Sequence, residues 1–342
     1  MNQPIIYPPY TFSDTSGYCS ILSTGIGLPS KRISTEDILL ENELKVDPRL
    51  VKKHIAVNYR HIAHADQCDS DLQLIAVEQA LESAQISADD LYKIIVNKYM
   101  GDYLLPMSAS FLQNRLNISQ SIHSFDIDGG IISSFQALDL VSKMMLKKDE
   151  YILIASGGIH NRFAQQKDTR HAFLFGDGAG ALILAPSNKR HILGSYQITN
   201  PHFSNICYSE GLTEVIQKDW FGSKTQKAFY ENYHVNDTTV ASQFVSEATA
   251  IALEKMKISL DDIDIVLYAG INVTFEHAVR EGLNCSSRQI YSTLSERGNT
   301  MSAALPITIH EAQKEKLLQP GTKSLFVTIG EGLSCGFMYY QW

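Results

Sequence analysis

Short apolar runs alternate along the chain with stretches in which apolar residues recur at helical spacing. The runs are rich in β-branched residues, as strands buried on both faces are, and lie at residues 93–97, 151–155, 180–184, 263–268 and 324–329. From Ile131 to Met145, apolar side chains recur every three or four positions. This spacing predicts a helix that leads into the strand at 151–155. The alternation as a whole predicts an α/β fold.

The order segment, helix, strand, glycine turn and strand occurs twice. The first copy runs from Phe125 through the predicted helix and closes with two predicted strands around a glycine-rich turn at 176–180. The second runs from Tyr291 through a helix predicted at 303–318 and closes around a glycine turn at 330–332. We interpret this repetition as a duplicated α/β unit.

The boundary between the two halves is predicted at a turn-forming stretch that begins at Pro186. The halves are then residues 1–186 and 187–342. Residues 195–236 have less regular periodicity and many aromatic and polar side chains. We interpret them as an insertion over the core, because long irregular segments often cover a functional site.

Composition narrows the class of protein. The chain has 342 residues, of which 44% are hydrophobic and 19% charged, as in a soluble globular protein of two domains. Its formal charge of −8 gives no reason to expect nucleic acid or an acidic membrane surface as a partner. The five cysteines are widely spaced and form no C-x-x-C pair, so no disulfide framework or zinc site is expected. No signal peptide or long apolar segment is evident, and we expect a cytoplasmic protein with no membrane span, metal or cofactor.

The glycine-rich turn at 176–180 has the composition of a phosphate-binding loop. Apolar, strand-like residues lie on both sides of it, at 172–175 and 181–184. A loop that joins two strands has no helix N-terminus to hold a pyrophosphate, and that arrangement argues against a dinucleotide site.

Five motifs in a fixed order carry a family resemblance. They are FDIDGGIISSFQALDLVSK at 125–143, YILIASGG at 151–158, FGDGAGALIL at 175–184, RGNTMSAALP at 297–306 and GEGLSCGFMYYQW at 330–342. In this order and spacing the chain resembles β-ketoacyl-acyl-carrier-protein synthase III. The resemblance implies a thiolase fold, in which two similar α/β halves stack as five layers, αβαβα. It also implies a homologous dimer that packs through a strand of the first half.

The resemblance identifies three catalytic positions. The family's nucleophilic cysteine lies at the N-terminus of a buried helix, and its position falls on Ile131. The family's histidine position falls on Ala269, and only the asparagine remains, as Asn299. An asparagine after a glycine also stabilises a turn whatever the chemistry, so Asn299 has a structural interpretation as well.

Other side chains offer alternatives to the missing cysteine and histidine. Ser134 is a low-probability alternative nucleophile, whereas helical geometry should point Ser133 away from the old nucleophile's direction. Small polar residues at a helix start are more often caps or spacers. His160 follows a predicted strand and could face the site, but a lone histidine there is more often a structural or surface residue. A metal site at His61, His64 and Asp66 lacks a further ligand of suitable spacing.

The substrate-side positions differ from the family as well. Leu50 and His54 stand where the family has a tryptophan and an arginine that hold the adenine of coenzyme A. On the helix expected to dock acyl carrier protein, Glu276 and Glu281 offset Arg280, which weakens attraction for an acidic carrier.

Two further positions concern the pocket and the partner. Residues 103–107 match the family's segment that crosses into the partner subunit, where Leu105 could close the partner's acyl pocket. Asn272, in the segment that matches the family's histidine motif, is assigned to the same pocket and dimer crossing.

These losses favour a non-catalytic or assisting subunit, which pairs with a homologous ketosynthase III-like chain and meets the acyl substrate through that partner. The alternative is an active acyltransferase or condensing enzyme without a covalent cysteine intermediate. A small-molecule binding module remains as a third hypothesis, with no positive sequence feature behind it.

Overall fold

The structure is a computed structural model that describes residues 18–99, 101–103, 105–144, 149–161, 172–204, 207–209, 233–235, 239–284 and 290–342. The strands are β1 Tyr18–Gly27, β2 Lys31–Ser34, β3 Tyr59–Ile62, β4 Leu91–Lys98, β5 His123–Asp128, β6 Tyr151–Gly158, β7 Gly178–Ser187, β8 Ile192–Thr199, β9 Cys207–Ser209, β10 Tyr233–Val235, β11 Ile265–Gly270, β12 Ile290–Tyr291, β13 Lys323–Gly330 and β14 Ser334–Gln341. The α-helices are α1 Thr35–Glu41, α2 Pro48–Ile55, α3 Asp69–Ala84, α4 Ser108–Arg115, α5 Ile132–Ser142, α6 Thr239–Met256, α7 Val273–Gly282, α8 Leu294–Arg297 and α9 Ala304–Lys314.

Two five-stranded sheets have the same strand order and the same strand directions. The first runs β1-β7-β6-β4-β5 and the second runs β8-β14-β13-β11-β12. In each sheet the first three strands are antiparallel neighbours, and the last three are parallel. The repeated order of elements in the sequence therefore corresponds to a repeated sheet topology.

Helices cover both sheets and fill the space between them. Helix α3 packs on the outer face of the first sheet, and α6 and α7 pack on the second. Helices α5 and α9 each contact strands of both sheets, so they form the central layer. The arrangement is the five-layered αβαβα thiolase fold, which confirms the predicted fold class.

Glycines let the outer helix approach the first sheet closely. A Cβ at Gly25 would overlap the carbonyl oxygen of Ala76, and one at Gly27 would overlap that of Leu72. Both carbonyls belong to α3, which buries Ala76 and Leu72 completely against the sheet. Only glycine fits β1 at these two positions.

Two predictions about local structure are wrong. Residues 172–175 form turns with one isolated bridge from Phe175 to Asn299, so the glycine-rich turn does not join two strands. The backbone of residues 172–175 bonds to other groups instead. The Phe173 carbonyl accepts a hydrogen bond from the guanidinium of the buried Arg60 at 2.6 Å. The predicted irregular segment at 195–236 begins inside β8, a strand of the second sheet. Much of the rest of that segment, including residues 210–232, lies outside the described residues.

Among the described residues, no helix is both long enough and apolar enough to cross a membrane.

Candidate active site

The N-terminus of α5 lies in the centre of the molecule. The turn from β5 into this helix uses Gly130 at a φ of 61°, a left-handed conformation that favours glycine. Ile131 follows as the N-cap residue and is fully buried. It belongs to an apolar cluster whose members come from both halves of the chain and include Leu174, Phe175, Tyr268, Ile271, Met301, Ile329 and Leu333. Hydrocarbon thus fills the position that the resemblance assigns to the nucleophile.

A carboxylate lies against the same helix end. Glu331, in the turn between β13 and β14, accepts a hydrogen bond from the backbone N–H of Ile131 at 3.2 Å. A Cβ at Gly130 would overlap this carboxylate, so glycine at that position also makes room for it. A negative charge is favourable at a helix N-terminus because the first N–H groups and the helix dipole attract anions. Glu331 was not among the residues predicted from the sequence. The feature that could have identified it is a charged residue between two glycines at the end of a buried strand.

Asn299 ties three segments together through its side chain and backbone. Its Oδ1 accepts a hydrogen bond from the Met301 N–H at 2.8 Å, and its Nδ2 donates to the Ile271 carbonyl at 3.3 Å. Its own N–H donates to the Leu174 carbonyl at 2.8 Å. Met301 has a φ of 51°, which is strained for a residue with a side chain. Asn299 therefore has the structural role that its turn position predicts.

Ala269 occupies a different environment from Ile131. Its side chain packs in the apolar cluster that contains Ile132 and Ala304, whereas the preceding Tyr268 faces the cluster around Ile131. The Tyr268 hydroxyl donates to the Asn272 carbonyl at 2.8 Å, and burial raises the pKa of this phenol well above its usual value. The Asn272 side chain caps α7 by accepting from the Phe275 N–H at 3.1 Å. The structure thus gives Asn272 a capping role next to the position predicted for the family's histidine.

The two serines of the first turn of α5 are fully buried. The Ser133 hydroxyl donates to the Gly130 carbonyl at 2.7 Å, and the Ser134 hydroxyl lies 3.5 Å from the Ile131 carbonyl. Both hydroxyls bond within the start of their own helix. Among the described residues, neither hydroxyl is hydrogen-bonded to a histidine or a carboxylate that could activate it as a nucleophile.

His160 is a buried histidine beside the asparagine motif. Its ring lies 6.1 Å from that of Tyr99, and the backbone of Thr300 is close enough to favour the protonated imidazole. Within the described ranges, neither ring nitrogen has a hydrogen-bond partner of ordinary geometry, and the buried Thr300 hydroxyl also has none. Burial lowers the pKa of His160 to about 3, so the ring is neutral near pH 7. The sequence predicted a structural or surface histidine, and the structure places it in the interior.

Asp177, in the glycine-rich turn, fixes the backbone around His160. Its carboxylate accepts hydrogen bonds from the N–H groups of His160 at 2.6 Å, Asn161 at 2.8 Å and Ala63 at 2.8 Å. Burial raises the pKa of Asp177, and these three donors act against that rise. The turn that resembles a phosphate loop therefore uses its acidic residue to organise the protein's own backbone.

The histidines considered as metal ligands do not converge. His61 bonds through Nδ1 to the Pro29 carbonyl at 2.6 Å and through Nε2 to Arg297 at 3.1 Å. His64 pairs with Asp66 at 2.6 Å, and both side chains are largely exposed. In the part of the chain that the structure describes, no group of three or more His, Cys, Asp or Glu residues could hold a metal ion.

The positions that match the family's carrier-binding residues lie on α2 and α7. Leu50, on α2, is half exposed, and the side chain of His54 lies outside the described residues. On α7 the Arg280 guanidinium donates to the Glu276 carboxylate at 2.9 Å. An intrahelical ion pair of this kind leaves Arg280 less available to an acidic carrier.

The described residues of the segment predicted to cross into a partner are exposed. Leu105 has 86% of its surface exposed, and Tyr103 and Met107 are also exposed. Nearby, β5 is the edge strand of its sheet and pairs with β4 on one side. An exposed edge strand and apolar side chains together form a surface suited to another chain.

Comparisons with known proteins agree with this architecture. Residues 125–201 match the family model described as 3-oxoacyl-[acyl-carrier-protein] synthase III, and residues 253–342 match the model of its C-terminal part. The chain is 28% identical to a β-ketoacyl-[acyl-carrier-protein] synthase III of Wolbachia sp. subsp. Brugia malayi (strain TRS), over 92% of this chain and 97% of the relative.

Solved structures share the fold at low identity. The 3-oxoacyl-[acyl-carrier-protein] synthase III of Aquifex aeolicus superposes with a TM-score of 0.81 at 22% identity, over 95% of this chain and 100% of that one. The priming β-ketosynthase of the R1128 polyketide pathway gives a TM-score of 0.85 at 16% identity, over 97% of this chain and 98% of that one. With the matched family models, these findings identify the chain as a β-ketoacyl-acyl-carrier-protein synthase III-like member of the thiolase superfamily, a family of condensing enzymes in fatty-acid and polyketide biosynthesis.

Proposed function

We propose that the chain is a non-catalytic or assisting subunit of a heteromeric condensing enzyme, paired with a homologous ketosynthase III-like chain that carries the cysteine and histidine. The observation that carries the proposal is Ile131. It is fully buried among apolar side chains at the N-terminus of α5, where the family resemblance places the nucleophile. A hydrocarbon side chain has no lone pair with which to accept an acyl group.

The surroundings of Ile131 support the same role. The serine hydroxyls of the first turn bond to backbone carbonyls, and Asn299 bonds to backbone groups on both sides of its amide. These hydrogen bonds give the side chains a structural role. The core is well packed nevertheless, since each half contributes fully buried strands. A chain that keeps the fold but lacks the family's catalytic side chains is expected to act by shaping or stabilising another subunit.

The surface supports a partner of the same fold. Leu105 lies three residues before α4, whose first N–H groups bond to Asp126 of β5, and β5 is an edge strand to which a strand of a second chain could add. An apolar side chain as exposed as Leu105 gains free energy when a partner covers it. In this arrangement the acyl substrate is held by the partner, and Leu105 helps to close its pocket.

The test is co-expression with a homologous chain from the same genome that keeps Cys, His and Asn at the positions matching Ile131, Ala269 and Asn299. Affinity purification through a tag on this chain, followed by native mass spectrometry, should give a 1:1 complex. The complex should have condensing activity that the homologue alone lacks. A chain that stays monomeric and leaves the homologue's activity unchanged would rule out the proposal.

A further inference from the structure

We propose that Glu331 is a blocking carboxylate, which occupies the N-terminus of α5 and keeps an acyl thioester or a thiolate from that position in this subunit. The inference rests on the proposed function and adds a cause to it. Besides the missing nucleophile, the site carries a permanent occupant. Restoring a cysteine at residue 131 is therefore not enough to restore a reactive thiol.

The geometry of the contact supports this assignment. The carboxylate Oε2 of Glu331 accepts the Ile131 N–H at 3.2 Å, and a Cβ at Gly130 would overlap this oxygen. The helix behind this N–H has eleven residues, long enough for its dipole to act at the first turn. A carbonyl oxygen that develops negative charge needs such a free N–H. Here that donor is already bonded to a carboxylate.

The carboxylate of Glu331 also disfavours a second negative charge nearby, such as a thiolate at residue 131. A cysteine at position 131 becomes a thiolate more readily at a helix N-terminus, but a like charge nearby disfavours ionisation. Tyr196, Tyr268, Tyr339 and Cys335 belong to the same apolar cluster, and burial raises the pKa of each, so they carry no charge near pH 7. Asp128 lies three residues before Ile131 at the exposed end of β5, where Lys98 offsets its charge. Among these groups, Glu331 is the one in hydrogen-bond contact with residue 131.

The experiment compares I131C with I131C/E331Q. Glutamine keeps the size and the acceptor oxygen of Glu331 but removes the charge. Both proteins are alkylated with iodoacetamide between pH 6 and 10, and labelling of the peptide that contains residue 131 is quantified by mass spectrometry. Reading one peptide separates this residue from the five native cysteines. I131C/E82Q, which neutralises an exposed glutamate on α3, is the matched control.

We expect the apparent pKa of the new thiol to fall by at least about one unit in I131C/E331Q, with labelling near pH 7.5 about tenfold faster than in I131C. The E82Q control should label like I131C. Equal labelling of I131C and I131C/E331Q, including no labelling of either, would overturn the proposal.

A second readout needs no new cysteine. In protein labelled with 15N-isoleucine, the Ile131 amide resonance should shift as the pH is lowered through the range in which Glu331 is protonated, and this shift should be absent in E331Q. An amide that titrates identically in both proteins would contradict the contact. These outcomes are independent of whether a partner subunit binds, so failure of the subunit proposal would be recognised separately.

Discussion

The backbone N–H of Ile131 and the carboxylate of Glu331 are joined by a 3.2 Å hydrogen bond, although the two residues lie 200 positions apart in the chain. The contact connects the N-terminus of the central helix α5 with the turn between β13 and β14. It therefore links the two halves at the point where the family resemblance places the chemistry. An isoleucine side chain and a carboxylate at that point favour a site filled by the protein's own groups over a reactive site.

A charge at Leu105 should disrupt association with a partner. L105D places a carboxylate on the exposed apolar segment next to β5, and burying an unpaired charge at an interface costs several kcal/mol. We expect at least a hundredfold weaker binding to the homologous chain, measured by analytical ultracentrifugation or surface plasmon resonance. L40D is the matched control, since Leu40 on α1 is 78% exposed. Equal loss in both variants would show that the interface lies elsewhere.

Replacing His160 by leucine should stabilise the protein. Among the described residues, neither imidazole nitrogen has a hydrogen-bond partner of ordinary geometry, and a buried polar group left in this state costs about 1–3 kcal/mol. H160L should therefore raise the free energy of unfolding in urea at pH 7.5 by about 1 kcal/mol or more. In contrast, H310L should destabilise, because His310 Nδ1 lies 3.0 Å from the Thr24 hydroxyl. A destabilised H160L would mean that the imidazole has a structural partner.

The same histidine should make stability depend on pH. Burial holds the folded pKa of His160 near 3, below the ordinary value of 6.5, so the unfolded chain binds a proton first as the pH falls. Its contribution to stability is complete above about pH 6.5 and is lost between pH 6.5 and about 3. Between pH 7.5 and 5, wild-type protein should lose roughly 2 kcal/mol that H160L retains. Parallel pH profiles for the two proteins would contradict this assignment.

Asn299 should matter for folding. N299A removes the acceptor for the Met301 N–H and the donor to the Ile271 carbonyl, and both backbone groups lie in the interior. We expect a loss of about 2–4 kcal/mol in the free energy of unfolding, measured with urea. N200A is the control, since Asn200 accepts from the His202 N–H at an exposed turn and should cost less than about 1 kcal/mol. If N299A were as stable as wild type, its hydrogen bonds would have no structural role.

Asp69 should weaken the fold as the pH rises towards neutrality. The buried carboxyl accepts the Ile159 N–H at 2.8 Å, and burial, with Asp102 and Asp177 nearby, raises its pKa to about 7 from 3.8. The folded state therefore holds a proton that the unfolded chain has released, and this contribution to stability is lost as the pH rises from about 3.8 to 7. D69N should be more stable than wild type at pH 8, by up to about 4 kcal/mol, and similar at pH 4. D66N, at an exposed position, should show no such difference.

The sequence predicted the buried strands well because a strand covered on both faces is a continuous apolar run. The runs at 93–97 and 324–329 lie inside β4 and β13, each extended by one or two residues at either end. The helix predicted at 303–318 forms as Ala304–Lys314, since Pro306 is accommodated in the first turn. The apolar segment 172–175 was misassigned because its backbone bonds to Arg60 and to the Asn299 segment, contacts that no local pattern contains.

The site was predictable only in part. Motif order identified Ile131 and Asn299, and the structure places both at the cluster between the halves. The Glu331 contact was not predictable, because it depends on how a turn near the C-terminus meets a helix start 200 residues earlier. Likewise, no described residue forms a hydrogen bond of ordinary geometry with the His160 ring, and this depends on packing, which spacing along the chain does not reveal.

The central claim is that this chain accepts no acyl group itself and supports a subunit that does. The most direct test is intact-protein mass spectrometry of the isolated chain, the homologous chain and their complex after incubation with octanoyl-coenzyme A. We predict an octanoyl adduct on the homologue within the complex and an unmodified mass for this chain in every sample. A specific, site-mapped octanoyl adduct on this chain, or product formed by this chain alone, would contradict the account.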